Sequence, residues 1–264
     1  MSRFYTYTSL EYCWTANNIT NYPLTMATWF YPASVTLTMA MMGRGNTGVN
    51  ESYDMLYLSG TAAGDPIRVY SKASGAAAAF ATATVGVNGV ANQWYHACGV
   101  IAGSQDRRCY FNGGNKGTET ATDRTPYSVS GYALGAVPRL SFAFPWYGGL
   151  AESAVWNVAL TDDEVAALGA GVCPLFIRPG SLVSYWPLGG MYDTDDGDHD
   201  MVGGYHLTPV NTPTTMDHPG GIIYPTAPLV GAPPPPAPVT PNPLSVLRPR
   251  VVCPAPYHET WNIW

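Results

Sequence analysis

Short runs in which apolar and polar side chains alternate recur along the chain, separated by clusters of Gly, Asn, Asp and Pro. Period-two alternation is the pattern of a strand with one face buried, because successive side chains point to opposite sides of the pleat. Arg3-Phe-Tyr-Thr-Tyr-Thr, Leu24-Thr-Met-Ala-Thr-Trp-Phe-Tyr and Val35-Thr-Leu-Thr-Met-Ala-Met show it most clearly, interrupted by Pro32 and by Gly43-Arg-Gly-Asn-Thr-Gly. Further strands are predicted at 54–58, 67–70, 79–85, 94–101, 107–111, 132–134, 140–144 and 150–156, about eleven in all. The segment around Ala102-Gly-Ser-Gln-Asp predicts a hairpin, and Asn112-Gly113 marks a second turn.

One segment carries helix signals. Thr161 is a cap, Glu164 three residues later completes a capping box, Asp162 and Asp163 suit the helix dipole, and Gly169 or Gly171 ends the helix after about two turns. From Pro225 onward the pattern changes: half of the 24 prolines fall there, with Pro233 to Pro236 unbroken. Such a stretch forms no core and favours an extended polyproline arm. The expected organisation is therefore a two-sheet antiparallel β-sandwich over 1–224, all-β with one short helix, followed by an extended proline-rich arm over 225–264. The arm ends in Tyr257-His-Glu-Thr-Trp-Asn-Ile-Trp264, and Tyr257, Trp261, Ile263 and Trp264 are its expected docking anchors, since large apolar side chains at a terminus call for a partner surface.

Composition narrows the function. Only 11% of the 264 residues are charged, two of them lysines (Lys72 and Lys116), and the net charge is −6. A neutral polar surface suits a protein packed among neighbours. Without a basic cluster there is no footprint for nucleic acid, and no stretch reaches the length of a membrane-spanning helix. The N-terminus lacks the apolar region of a signal peptide, so synthesis in a host cytoplasm is expected. Five cysteines at Cys13, Cys98, Cys109, Cys173 and Cys253 match no zinc spacing; Cys98 and Cys109 flank the predicted hairpin, and buried free thiols are their plainer reading.

Four stretches, in order, resemble a known family, the concanavalin A-like lectin/glucanase or laminin-G-like jelly roll. Pro23-Leu-Thr-Met-Ala-Thr-Trp-Phe resembles its early core strand with an inward Trp, Trp94-Tyr-His-Ala-Cys-Gly-Val its W-x-H-x-x-x-V strand, and Arg108-Cys-Tyr-Phe-Asn-Gly its next strand and turn. Gly148 to Leu168 resembles its closing strand and helix. The matches span about Leu10 to Leu168. A fifth stretch, Leu182-Val-Ser-Tyr-Trp-Pro-Leu-Gly-Gly, resembles a segment that opens such domains but here comes last, as an edge strand from the C-terminal side. The resemblance implies binding far more often than catalysis, and versions with a terminal extension are similar to phage virion proteins.

Candidate chemistry is sparse. Retaining glycosidases need two carboxyl groups about 5 Å apart, and no E-x-D-x-x-E occurs; Glu152 stands alone as a structural acid. Asp193, Asp195, Asp196, Asp198 and Asp200 crowd one loop, and Asp193, Asp195, Asp196 and Asp198 are the candidate ligands of Ca²⁺, a hard cation that takes several oxygens; no other cofactor is implied. His96 reads as a core histidine. Trp146 and Tyr147, between Pro145 and Gly148, are the candidate sugar-stacking pair on a loop, and Trp29, Trp94, Trp156 and Trp186 are assigned to the core. The resulting expectation is a non-enzymatic virion structural or decoration protein of phage type, anchored to other virion subunits in a many-copy or homo-oligomeric assembly by its arm. The alternative is a glycan-binding lectin or adhesin, as in a receptor-binding or fibre protein, acting on surface glycans through the sandwich loops.

Overall fold

Alternation in sequence becomes alternation in burial. Along Ile67 to Lys72 the side chains of Ile67, Val69 and Ser71 are buried while those of Arg68, Tyr70 and Lys72 are half-buried on the opposite side. The structure, a computed structural model, describes residues 2–16, 21–124, 128–189 and 199–225. The chain divides into a body, Met1–Pro225, and a second unit, Thr226–Trp264. The predicted arm from Thr226 onward, with Tyr257, Trp261, Ile263 and Trp264, lies outside the described residues.

The strands of the body, in chain order, are β1 (Ser2–Tyr5), β2 (Tyr12–Thr15), β3 (Leu24–Pro32), β4 (Thr38–Gly45), β5 (Tyr53–Ser59), β6 (Pro66–Lys72), β7 (Ala79–Gly86) and β8 (Tyr95–Gly103). They continue as β9 (Asp106–Phe111), β10 (Gly114–Glu119), β11 (Gly131–Leu134) and β12 (Gly148–Trp156). After helix α1 (Asp162–Gly169) come β13 (Leu182–Trp186), β14 (Thr208–Val210) and β15 (Thr214–Met216). Sheet I runs β10-β9-β8-β3-β12-β1-β15, with β13 also on β12, and sheet II runs β14-β2-β11-β4-β5-β6-β7. All strand pairings are antiparallel. The predicted two-sheet sandwich is present.

Between the sheets lie Met26, Phe30, Met39, Met41, Met42, Leu56, Leu58, Ile67, Val69, Trp146, Leu150 and Trp186. The same interior holds one fully buried ion pair, in which Arg44 donates Nε–H to Asp54 at 2.8 Å, and Tyr22 donates its hydroxyl to the same carboxylate at 2.9 Å. A second apolar cluster covers the outer face of sheet I. There Ala27, Cys98, Val100, Tyr110, Ala154 and Trp156 pack against Val165 and Leu168 of α1 and against Cys173, Ile177, Leu182 and Tyr185. The helix carries the expected capping box, with Thr161 and Glu164 satisfying each other's backbone N–H. It docks on the β9–β10 turn so closely that a Cβ at Gly169 would sit 2.4 Å from the backbone of Gly113.

Several elements differ from the sequence reading. Gly43-Arg44-Gly45 does not break a strand but ends β4, because the β11–β12 connection crosses the outer face there: a Cβ on Gly45 would lie 2.1 Å from the Pro138 carbonyl. That connection includes 140–144, which forms only an isolated bridge, Val137 to Ala143, and no strand. β10, beyond the Asn112-Gly113 turn, is a polar edge strand without alternation. β13 pairs with the second half of β12, after a bulge between Ala151 and Ala154, as the C-terminal edge strand expected from the fifth resembling stretch.

Candidate functional site

Among the described residues no helix lies over the outer face of sheet II. Register places three rows of side chains across it: Tyr53 opposite Lys72; Met55 opposite Tyr70, which is opposite Phe80; and Tyr57 opposite Arg68, which is opposite Thr82. Aromatic residues at facing positions of neighbouring strands interact directly. Tyr53 and Tyr70 stack with centroids 5.7 Å apart, Tyr70 and Phe80 stack at 6.3 Å with rings 8° from parallel, and Tyr57 meets Tyr70 edge-on at 5.9 Å. Val137 and Phe144 of the crossing connection cover the inner end of this ladder, where Tyr53 and Tyr57 are buried. Its outer end is open, with Phe80 41% exposed. Burial raises the Tyr53, Tyr57 and Tyr70 phenols above the ordinary tyrosine value, so all three stay protonated donors at neutral pH.

Next to Phe80 is a cleft of about 450 Å³ lined by Arg68, Thr82, Thr84, Asn88 and the backbone around Gly64 and Gly86. Arg68 is held from two sides: it donates Nε–H to Thr82 Oγ1 at 3.1 Å, and its guanidinium carbon lies 4.8 Å from the centre of the Phe80 ring. It is the one charged residue among those lining the cleft. An aromatic platform beside a few fixed hydrogen-bonding groups is the makeup of a site for a small polar ligand with apolar faces.

The predicted sugar-stacking pair divides. Trp146 is not on the surface: it is fully buried between the sheets, packs edge-on to Phe30 at 5.8 Å and donates Nε1–H to the Gly149 carbonyl at 3.3 Å. Pro145 and Gly148 suggest an exposed loop, but the connection turns inward after crossing sheet II, and Trp146 fills the core beneath it. Tyr147 is half-buried and lines a second recess of about 240 Å³ with Thr6, Tyr7, Thr8, Ser34 and Leu37. The recess and the Arg68 cleft share one rim of the sandwich, where the β1–β2, β3–β4, β5–β6 and β7–β8 connections gather. The hydroxyls of Thr38, at the start of β4, and Thr61, in the β5–β6 connection, lie 3.3 Å apart at this rim.

Of the acidic loop, Asp193, Asp195, Asp196 and Asp198 lie outside the described residues. Asp200 is buried and its carboxylate is already engaged, accepting from the backbone N–H of Tyr185, Val202, Gly203 and Tyr205 at 2.9–3.2 Å. Among the described residues no group of three or more His, Cys, Asp or Glu side chains is gathered to hold a metal. Glu152, in the β12 bulge with φ +53°, accepts from Tyr185 at 2.6 Å and Tyr224 at 2.8 Å, and faces His218 Nε2 at 3.1 Å. It clasps the 218–224 segment to the body.

His96 and Cys98 share the outer face of sheet I, with no bulge between them. Burial presses His96 down to about 3, so it is neutral. Burial also raises Cys98, Cys109 (to about 12) and Cys173 (to about 11), and these thiols are free and inert. Of the four tryptophans assigned to the core, Trp156 and Trp186 are fully buried, while Trp29 and Trp94 are half-buried, Trp29 lying 5.6 Å from His96 on the outer face instead of inward. The sequence reading missed Tyr70, Phe80 and Arg68, although the alternation Arg68-Val-Tyr70 and Phe80-Ala-Thr82-Ala-Thr84 places each set on one face.

The comparisons agree with this architecture. The chain spans 83% of its own length and 60% of the other in its alignment with a Bacteroides ovatus protein described as a candidate carbohydrate-binding protein, at 20% identity and TM-score 0.54. A carbohydrate-binding module of a Ruminococcus gnavus sialidase, solved with α2,3-sialyllactose, aligns over 64% of this chain and 97% of the module at 13% identity and TM-score 0.50. No curated protein sequence matches the chain. Residues 7–166 match the family described as the concanavalin A-like lectin/glucanases superfamily, and with more than half of its length so matched and both sheets in place, the chain belongs to that superfamily.

Proposed function

We propose that this protein is a non-catalytic glycan-binding module whose binding face is the outer side of sheet II. The observation that carries the reading is the open end of the aromatic ladder: Phe80 exposed, Tyr70 stacked behind it, and the Arg68 cleft with Thr82, Thr84 and Asn88 alongside. A pyranose presents an apolar C–H face and a rim of hydroxyls, which suits an aromatic ring flanked by hydroxyl, amide and guanidinium groups. The solved structures of similar fold, named for carbohydrate binding, support the same reading. Catalysis has no comparable support, since the groups on the buried Glu152 carboxylate are two tyrosines and a histidine, not a second acid. The virion reading rests on the arm beyond Pro225, outside the described residues, and the glycan reading is the one the described residues favour.

A glycan array probed with the full chain and with Phe80→Ala tests this. Retention of one or more oligosaccharides by the full chain, weakened at least about tenfold by Phe80→Ala, is the expected result. Absence of binding to every glycan, or binding indifferent to Phe80, would overturn it.

A further inference from the structure

Two cations on the outer face of sheet II stand beside aromatic rings without a carboxylate partner among the described residues. Arg44, Lys72, Arg107, Arg108, Lys116 and Arg178 each have a carboxylate partner: Asp54, Glu51, Glu119, Asp106, Asp162 and Glu164. Arg68, Arg124 and Arg139 show none among the described residues, and Arg124 is spent on the backbone carbonyls of Ala77 and Asp123. Arg68 and Arg139 flank the aromatic ladder, Arg68 at Phe80 and Tyr57, Arg139 at Tyr53. Arg139 also has a buried Nε with no hydrogen-bond partner, and a buried donor left unmade is costly. On a chain of net charge −6, with 18 acidic residues available to neutralise 12 basic ones, two guanidinium groups without counter-ions on one aromatic face are an excess of positive charge in one place.

We infer that this face takes an anionic saccharide, with the Arg68 guanidinium as the group that recognises its carboxylate or sulfate. Arg68 is prepared for that role. Its Nε–H is fixed by Thr82, its guanidinium also meets the Tyr57 hydroxyl and lies against the Phe80 ring, and these contacts hold in place a group whose paired donors match a carboxylate or sulfate edge. The neighbouring Thr84 and Asn88 would meet sugar hydroxyls. Lys72 is not a rival for the anion, because it already faces Glu51 at 3.8 Å and donates to the Ala76 carbonyl at 2.7 Å. Arg139, at the covered end of the ladder, supplies a second positive charge to a longer chain lying along it.

The inference rests on the glycan-binding reading, and the experiment separates the two. The full chain is titrated with paired oligosaccharides: sialyllactose against lactose, oligogalacturonate against its carboxyl-reduced form, and heparin oligosaccharide against its desulfated form. One acidic member is expected to bind about tenfold to a hundredfold more tightly than its neutral counterpart, and to weaken as salt is raised through about 0.1 M. Whether the preferred ligand is a carboxylated or a sulfated sugar is decided by which pair shows the difference. Arg68→Gln is expected to abolish the difference and leave residual binding of the neutral member, while Arg68→Lys restores part of it. Equal binding of acidic and neutral members, unaffected by Arg68→Gln, would overturn this inference and leave the glycan reading standing. Binding of none of them, together with an empty neutral array, would end both. The comparison of paired ligands on the unaltered chain does not depend on the variants folding.

Discussion

The two outer faces of the sandwich are built from the same kind of strand and finished in opposite ways. On sheet I, the face carrying Ala27, Cys98, Val100 and Ala154 is small or apolar, and α1 with the 173–185 segment closes over it around Trp156 and Tyr185. On sheet II, the equivalent positions hold Tyr53, Tyr57, Tyr70, Phe80 and Arg68, and among the described residues one connection crosses them, over the glycine pair Gly43 and Gly45. An aromatic or arginine side chain costs little when half covered, because its polar tip or ring edge still reaches water. Small apolar side chains gain only when sealed. Side-chain choice therefore decides which face becomes a second core and which stays available to a ligand.

That contrast is broken most severely on the sealed side. Trp156 is fully buried and donates Nε1–H to the Ile177 carbonyl at 2.7 Å. Trp156→Ala is expected to lower unfolding free energy by about 3–5 kcal/mol, read from a urea or thermal transition. Glu152→Gln keeps shape but leaves one acceptor for two tyrosine hydroxyls, so a loss of about 1–3 kcal/mol is expected, with faster amide exchange in the 218–224 segment.

His96 makes the same side sensitive to acid. Its folded value of about 3 lies below the ordinary 6.5. Between these two pH values the unfolded chain takes up the proton and the folded chain does not, so stability falls as pH drops. From about pH 6.5 to 5 the loss from this one group is about 2 kcal/mol, and His96→Phe should flatten the stability profile in that interval. The smallest effect on stability belongs to the open side. Phe80→Ala should shift unfolding by less than about 1 kcal/mol while weakening glycan binding at least about tenfold, as expected of a residue that is 41% exposed.

How much of this could be read from sequence follows the same division. The sealed side was legible: the capping box at Thr161 and Glu164, the hairpin of β8 and β9, and the closing strand with its helix all rest on local signals. Strands without alternation were not. β10 reads Gly-Asn-Lys-Gly-Thr-Glu and is held as a strand by pairing with β9 alone. Conversely, Leu140 to Phe144 alternates like a strand but crosses a sheet instead of joining it, and Trp146 looks exposed until that crossing is known to turn inward. The binding face was hidden for a related reason. The alternation within β5, β6 and β7 tells which residues share a face, but the register that sets Tyr70 beside Phe80 and Arg68 beside Thr82 is a property of the assembled sheet.

The most direct test of the account is a map, by backbone amide chemical-shift changes, of where the best-binding oligosaccharide from the array contacts the full chain. The account predicts changes concentrated at Arg68, Tyr70, Phe80, Thr82 and Thr84 with α1 and β13 silent. Changes centred on α1, on β13 or on the Tyr147 recess, with the Phe80 ladder unperturbed, would contradict it.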